Sequence, residues 1–281
     1  MFCKIVKVKG KVKREESNMN KNTKKCTGNM YMRLLGNLLS LMIFTFTTLT
    51  VWLTIDKAYS ITSYAQSVNE PGKSSSGFRF NMSYIHFSDK NAYLEYVNNT
   101  KGSLNEVAPN YFYLDRLGNL QISSTLDKKF IEEMHNRGIK VVPYLSNDWD
   151  RNVGQLALRK RHKLAEAIAE AVEKYNLDGV NVDLENLTEE DRDRYTDFVR
   201  LLRKELPAGK TVAVAVASNP KGITTGWHGS YDYEGLARYS DYLMLMAYDE
   251  HYGGGPSGPV ASINFVEKSI EYALKYVPKE K

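Results

Sequence analysis

Asp183 and Glu185 stand two residues apart in the stretch from Leu177 to Asn186, where Val180, Val182 and Leu184 alternate with Asn181, Asp183 and Glu185. Side chains on a strand have a period of two, so the pattern puts an amide and two carboxylates on one face and aliphatic groups on the other. On such a strand the two acids lie about 6–7 Å apart along the backbone. Two carboxylates in a poorly hydrated place do not both ionise easily, so one is expected to hold its proton towards neutral pH. A carboxylic acid of that kind is what a general acid requires. An isolated buried acid is more often a satisfied structural group. A pair at the end of a strand points to chemistry instead.

The elements that must position these groups can be read from hydrophobic periodicity. Apolar runs at residues 79–87, 111–114, 140–145, 179–184, 211–217 and 242–247 read as strands. Helical patterns lie at about residues 89–98, 127–137, 156–175, 188–205, 231–239 and 262–276. Thr188 precedes Glu189, Glu190 and Asp191 in a capping arrangement, and Tyr195, Phe198, Val199 and Leu202 then form one apolar stripe. Alternating β and α units with near-continuous apolar strands imply a parallel sheet covered by helices. No Gly-rich phosphate loop comes after the first strand, and Gly253-Gly254-Gly255 runs into Pro256, which disfavours a dinucleotide-binding sheet. Polar residues gather after several strands: Asn147-Asp148-Trp149, Asp183 with Glu185, Ser218-Asn219, and Tyr248 to His251. Sites built from the C-terminal ends of many strands predict a (β/α)8 TIM barrel. About six βα units fit into residues 78–281, with a seventh strand due near Lys281, so the sequence reads as an incomplete barrel from a longer protein.

The 281 residues are 42% hydrophobic and 25% charged, an ordinary globular composition. Ten of the 38 Lys and Arg but only two of the 33 Asp and Glu fall in residues 1–33. The other 28 basic and 31 acidic residues leave a mildly acidic body, which argues against a nucleic-acid partner. The basic leader, residues 1–33, runs into an uncharged stretch at 34–55, long enough for a signal-peptide core or a membrane-spanning helix. The positive flank orients this stretch so that the chain beyond it is exported, and Ala58-Tyr59-Ser60 offers a cleavage pattern. Residues 34–60 are therefore expected to be a signal peptide or membrane anchor, and the polar, Ser/Gly-rich 61–77 a linker. Both cysteines, Cys3 and Cys26, precede the apolar stretch, so no disulfide is expected in the exported part. No HxH or HxxxH pair occurs among the five histidines, and no metal is expected.

Asp178 to Glu185, DGVNVDLE, resembles the DGxDxDxE signature of glycoside hydrolase family 18, the chitinase-type barrels. Met246 to Asp249, MAYD, resembles that family's MxYD motif on the sixth strand, which is also the sixth strand counted here. The resemblance spans roughly residues 78–281, and Asn219 to Gly222 with Tyr248 to Ser262 look closest to the spore-germination and cortex-lytic branch. It implies cleavage at N-acetylglucosamine in peptidoglycan, without a cofactor, by a retaining mechanism in which the substrate assists. Glu185 would protonate the glycosidic oxygen, and Asp183 would hold the acetamido N–H. Tyr248 would bond the acetamido oxygen, and Asp249 would line the same subsite. Asn181 departs from the family pattern, standing where chitinases usually carry an Asp, and can still orient Asp183 as an amide.

Asp178 is expected to brace the strand at the edge of the site. Tyr144 and Trp149 are candidates for stacking on sugar, and Asn147, Asn219 and His251 for lining the cleft. His135, His162 and the basic run Arg159 to Lys163 are expected on solvated helix faces. The partners implied are an N-acetylglucosamine polymer, peptidoglycan or chitin, and a membrane if residues 34–55 are retained, in a secreted, cell-envelope or spore-associated protein. A non-catalytic sugar-binding barrel, a chitinase and a broken reading frame with no stable product are the competing readings.

Overall fold

The computed structural model describes residues 80–86 and 89–281. The leader, the apolar stretch and the linker expected at 1–77 lie outside the described residues. In chain order the elements are β1 (Met82–Ile85), α1 (Tyr93–Asn99), β2 (Glu106–Pro109), β3 (Phe112–Leu114), β4 (Leu120–Ile122) and α2 (Lys128–Asn136). Next come β5 (Lys140–Val141), β6 (Tyr144–Ser146), α3 (Arg151–Arg159), α4 (Arg161–Lys174), β7 (Gly179–Asp183) and α5 (Arg192–Glu205). The last are β8 (Thr211–Ala217), α6 (Gly226–Gly229), α7 (Tyr233–Tyr239), β9 (Tyr242–Met246) and α8 (Ile263–Ala273).

Among the described residues the strands pair in two sets, β1-β2-β5 and β4-β3-β6-β7-β8-β9, and every pair is parallel except β3 with β4. Because β2 runs into β3 and β5 into β6, the two sets continue one another as a wall of six parallel positions. This is an α/β fold with a parallel wall and one antiparallel addition. The short hairpin strand β4 has no counterpart in the sequence expectation. The second strand also begins earlier than expected, at Glu106, because Glu106 and Pro109 disguise a segment that is buried throughout. The helix expected at 156–175 is two helices, and Asp150 caps the first by accepting from the Asn152 and Val153 N–H groups.

The period of two sorts the wall into two faces. Register pairs Val180 with Val212 and Val182 with Val214, placing the valines together under the helices. There they meet α5, whose Tyr195, Phe198, Val199 and Leu202 are all buried. The capping box of Thr188 and Asp191 starts that segment, as its sequence predicts. On the other face Asn181 pairs with Ala213, so Ala213, Ala215 and Ala217 lie beside the polar groups of β7 and leave room in front of them. Among the described residues, side-chain bonds also join strands that are not neighbours. Tyr84 Oη on β1 donates to Asn181 Oδ1 on β7 at 3.3 Å, and Tyr242 Oη on β9 donates to Glu106 Oε1 on β2 at 2.5 Å. Such reach requires the wall to curve.

Acids just before two strands cap the backbones of neighbouring strands. Asp178 Oδ2 accepts from Val141 N–H at 2.8 Å, and Asp241 Oδ2 accepts from Val212 N–H at 2.8 Å. Asp178 also meets His135 Nε2 at 2.8 Å. His135 is therefore a half-buried partner of Asp178 rather than a free surface residue, while His162 is exposed. Within the basic run, Arg161 is likewise half-buried and paired with Asp197.

Gly179 opens β7 with φ at +152°, and a Cβ there would stand 1.9 Å from the Thr211 carbonyl oxygen. Gly179→Ala is expected to force β7 and β8 apart and to lower stability by about 3 kcal/mol, read as a fall in the urea midpoint.

Candidate active site

Glu185 comes just after β7 and is held by its backbone. Its N–H donates to Asn147 Oδ1 at 2.8 Å, and its carbonyl accepts from Asn147 Nδ2 at 2.9 Å. Asn147 Nδ2 also donates to the Asp150 carbonyl at 2.9 Å, so one buried amide ties the acid to the start of α3. Gly154 on α3 makes this approach possible, since a Cβ there would come within 3.0 Å of the same amide. The Leu184 carbonyl accepts from Tyr231 Oη at 3.2 Å. Asn186, with φ at +56°, closes the turn. Its Nδ2 donates to the Trp149 carbonyl at 2.9 Å, and its own oxygens accept from Arg151 Nε at 2.7 Å and Nη2 at 2.8 Å.

Glu185 opens onto a cavity of about 670 Å³. Trp149, Trp227, Tyr248, Asp249 and Lys221 also line it. This volume lies within the range of sites for small organic ligands. Trp149 and Trp227 meet edge to face, their ring centroids 5.0 Å apart, and form an aromatic corner. Trp149 is 51% exposed and Tyr248 46%, which leaves both able to touch a ligand. Trp227 is a site residue that sequence reasoning misses. Its signal is a tryptophan set in the polar, Gly-rich stretch between the fifth and sixth strands.

Electrostatically the site is dominated by burial. Burial first, then the charges of Asp183 and Asp249, push Glu185 from 4.5 up to about 7. Burial alone lifts Asp183 from 3.8 to about 6. Asp183 Oδ1 is buried with no hydrogen-bond partner, and so is Asn181 Nδ2. Burial and then the Asp183 charge raise the phenols of Tyr144 and Tyr248, the latter to about 12. Tyr84 is raised by the same two causes in the same order, so all three phenols stay neutral donors near pH 7. A buried acid surrounded by neutral donors and carrying an unfilled acceptor is poised to receive a ligand N–H.

The structure therefore brings Glu185, Tyr248, Asp249 and Trp149 to one cavity, with Asp183 and Asn181 on the strand that leads to it. Other sequence candidates are placed elsewhere. Asp178 lies at the opposite end of β7 and caps Val141, as bracing requires. Tyr144 is buried, pairs with His86 Nδ1 and packs edge-on to Tyr84 at 5.4 Å, so its face is not free to stack on sugar. Asn147 spends its amide on the Glu185 backbone. Asn219 borders the cavity but closes its own loop, with Nδ2 donating to the Ile223 carbonyl at 2.8 Å and Oδ1 accepting from Ile223 N–H at 2.7 Å. His251 pairs through Nδ1 with the Pro259 carbonyl at 2.8 Å and is not part of the cavity wall.

An α/β wall with an acid-bearing fourth strand and an MAYD-bearing sixth defines a glycoside-hydrolase type of domain. The profile of glycosyl hydrolases family 18 matches residues 80–281, and the chain belongs to that family. Among curated relatives it is 35% identical over 121 residues to YdhD of Bacillus subtilis, named for a sporulation-specific glycosylase, covering 43% of this chain and 29% of that protein. It is 27% identical over 215 residues to the cortical fragment-lytic enzyme of Bacillus subtilis, covering 69% of this chain and 49% of the relative. The chain thus spans less than two thirds of the length of either. The fold also matches the crystal structure of the Bacillus cereus spore cortex-lytic enzyme SleL, with a TM-score of 0.63 at 23% identity over 71% of this chain and 48% of that one.

Two outcomes test this geometry. Asn147→Ala strands the buried Glu185 N–H, and a loss of about 1–3 kcal/mol is expected in urea unfolding. Glu185 binds its proton more tightly folded than unfolded, so its contribution to stability falls as pH rises from 4.5 to about 7. Glu185→Gln lacks that slope, and its melting temperature should rise relative to the parent between pH 5 and pH 8 by a few degrees. A difference that does not grow with pH contradicts the burial of this acid.

Proposed function

We propose that this chain hydrolyses β-glycosidic bonds at N-acetylglucosamine in peptidoglycan of the spore cortex or cell wall, by a substrate-assisted, retaining route. The (β/α)8 barrel is part of the proposal, with the six wall positions as the portion that bears the acid. One observation carries it. Glu185 lines the cavity with its carboxyl pushed up to about 7, and two residues earlier, at the end of β7, Asp183 carries an unpartnered acceptor.

The steps derive from that arrangement. Glu185 gives its proton to the glycosidic oxygen as that bond breaks, and the acetamido oxygen of the sugar bonds to the anomeric carbon. Asp183 Oδ1 accepts the acetamido N–H and stabilises the positive charge on the cyclic intermediate. Tyr248, a neutral phenol, donates to the acetamido oxygen and aligns it. Glu185, now a carboxylate, takes a proton from the water that opens the ring, and the configuration is retained. The presence of Glu185 favours this over a binding barrel without catalysis, and the likeness to cortex-lytic relatives favours peptidoglycan over chitin. The uncharged stretch at 34–55 behind a basic leader supports export, with a membrane anchor if it is retained.

Cortex or wall fragments incubated with the chain should release new reducing ends, and Glu185→Gln should lower the rate by about 10²–10⁴-fold. The parent rate should fall as pH rises above about 7, where Glu185 loses the proton it must donate. Full activity in Glu185→Gln overturns the assignment.

A further inference from the structure

The cavity has one feature that cleavage at N-acetylglucosamine does not use. Among the described residues, Lys221 is the one Lys or Arg side chain in the cavity lining, and it has no ion-pair or hydrogen-bond partner. The other titratable side chains of the wall include the carboxylates of Glu185, Asp249 and Glu250, and His228, which burial holds below its ordinary value and so neutral near pH 7. An anionic group entering the cavity meets three acidic side chains among its lining residues and one cation, Lys221.

The loop that carries this lysine is anchored. Asn219 closes it through both ends of its amide to Ile223, and Gly222 N–H donates to the Asn219 carbonyl at 3.1 Å. Ser218 Oγ donates to the Met246 carbonyl at 2.7 Å, which fixes the root of the loop to the end of β9. Lys221 is thus the one cation of the cavity lining, carried on a loop that hydrogen bonds hold in place. Positioned charge of this sort contributes more to discrimination between ligands than to raw affinity.

We propose that Lys221 is a specificity-determining residue that pairs with a carboxylate on the bound glycan, selecting an acid-bearing amino-sugar polymer over a neutral one. This rests on the proposed peptidoglycan substrate, in which every second sugar bears a lactyl ether whose carboxyl group is either free or extended through an amide to a peptide that carries carboxylates of its own. Chitin offers no such group.

The test measures binding by calorimetry in the Glu185→Gln background, which stops turnover. Three glycans are compared: chitotriose, the disaccharide of N-acetylglucosamine and N-acetylmuramic acid with its carboxylate free, and the methyl ester of that disaccharide. The free acid should bind about fivefold more tightly than the ester, in keeping with one partly exposed ion pair. Lys221→Met should remove that difference, Lys221→Arg should keep it, and added salt should shrink it only where the cation is present. Chitotriose binding should be the same in all three proteins. Equal binding of acid and ester by the parent overturns the inference and leaves the proposed function standing. So does a Lys221→Met protein that weakens acid and chitotriose alike. Failure to bind any of the three glycans overturns the proposed function, and this inference with it.

Discussion

Strand β7 is flanked by β6 and β8 and covered by helices, so both of its faces lose water on folding. The aliphatic face is stabilised by that burial, whereas the amide and carboxylate of the other face are destabilised unless partners replace the water. The chain supplies some of those partners and withholds others. Tyr84 serves one end of the Asn181 amide, while Asn181 Nδ2 and Asp183 Oδ1 are left unfilled. Much of the surrounding architecture can be understood from this constraint. Alanines on β8 keep space open before the polar face, and neutral phenols gather around the acid without cancelling its shift. The residual cost of the unfilled groups is the part that a bound ligand can relieve.

The features that rest on short-range regularity are legible in the sequence. The alternation of β7, the capping box at Thr188 and the stripe on α5 each depend on neighbours within a few residues, and each is where its pattern puts it. The start of β2 is hidden because Glu106 and Pro109 are poor strand formers by local preference. Tyr242, far along the chain, donates to Glu106 and helps to offset its burial there. The two-helix break after Lys160 is hidden because the apolar stripe runs through it.

Within the candidate site, the line between legible and hidden is similar. Glu185, Asp183 and Tyr248 belong to motifs whose spacing is itself the signal. Asn147 and Asn219 carry the same residue type on similar loops, and sequence alone does not separate an amide that meets a ligand from one consumed by its own backbone. His135 has the sequence surroundings of a surface residue because its partner, Asp178, is 43 residues away and comes near only once β5 and β7 are in place. Trp227 lies in a stretch with no periodicity, and only folding sets it against Trp149.

The clamp formed by Asn186 with Arg151 and the Trp149 carbonyl joins the loops after β6 and β7. Glu185, the proposed proton donor, and one wall of the aromatic corner consequently belong to a single stiff body. Such a body acts as a template. Little conformational freedom remains in this wall for a ligand to quench, so the entropy lost on association falls on the polymer, which must straighten and orient its rings to fit. A flexible or heavily cross-linked glycan would therefore meet the same surface on very different terms, its own stiffness deciding how readily it docks.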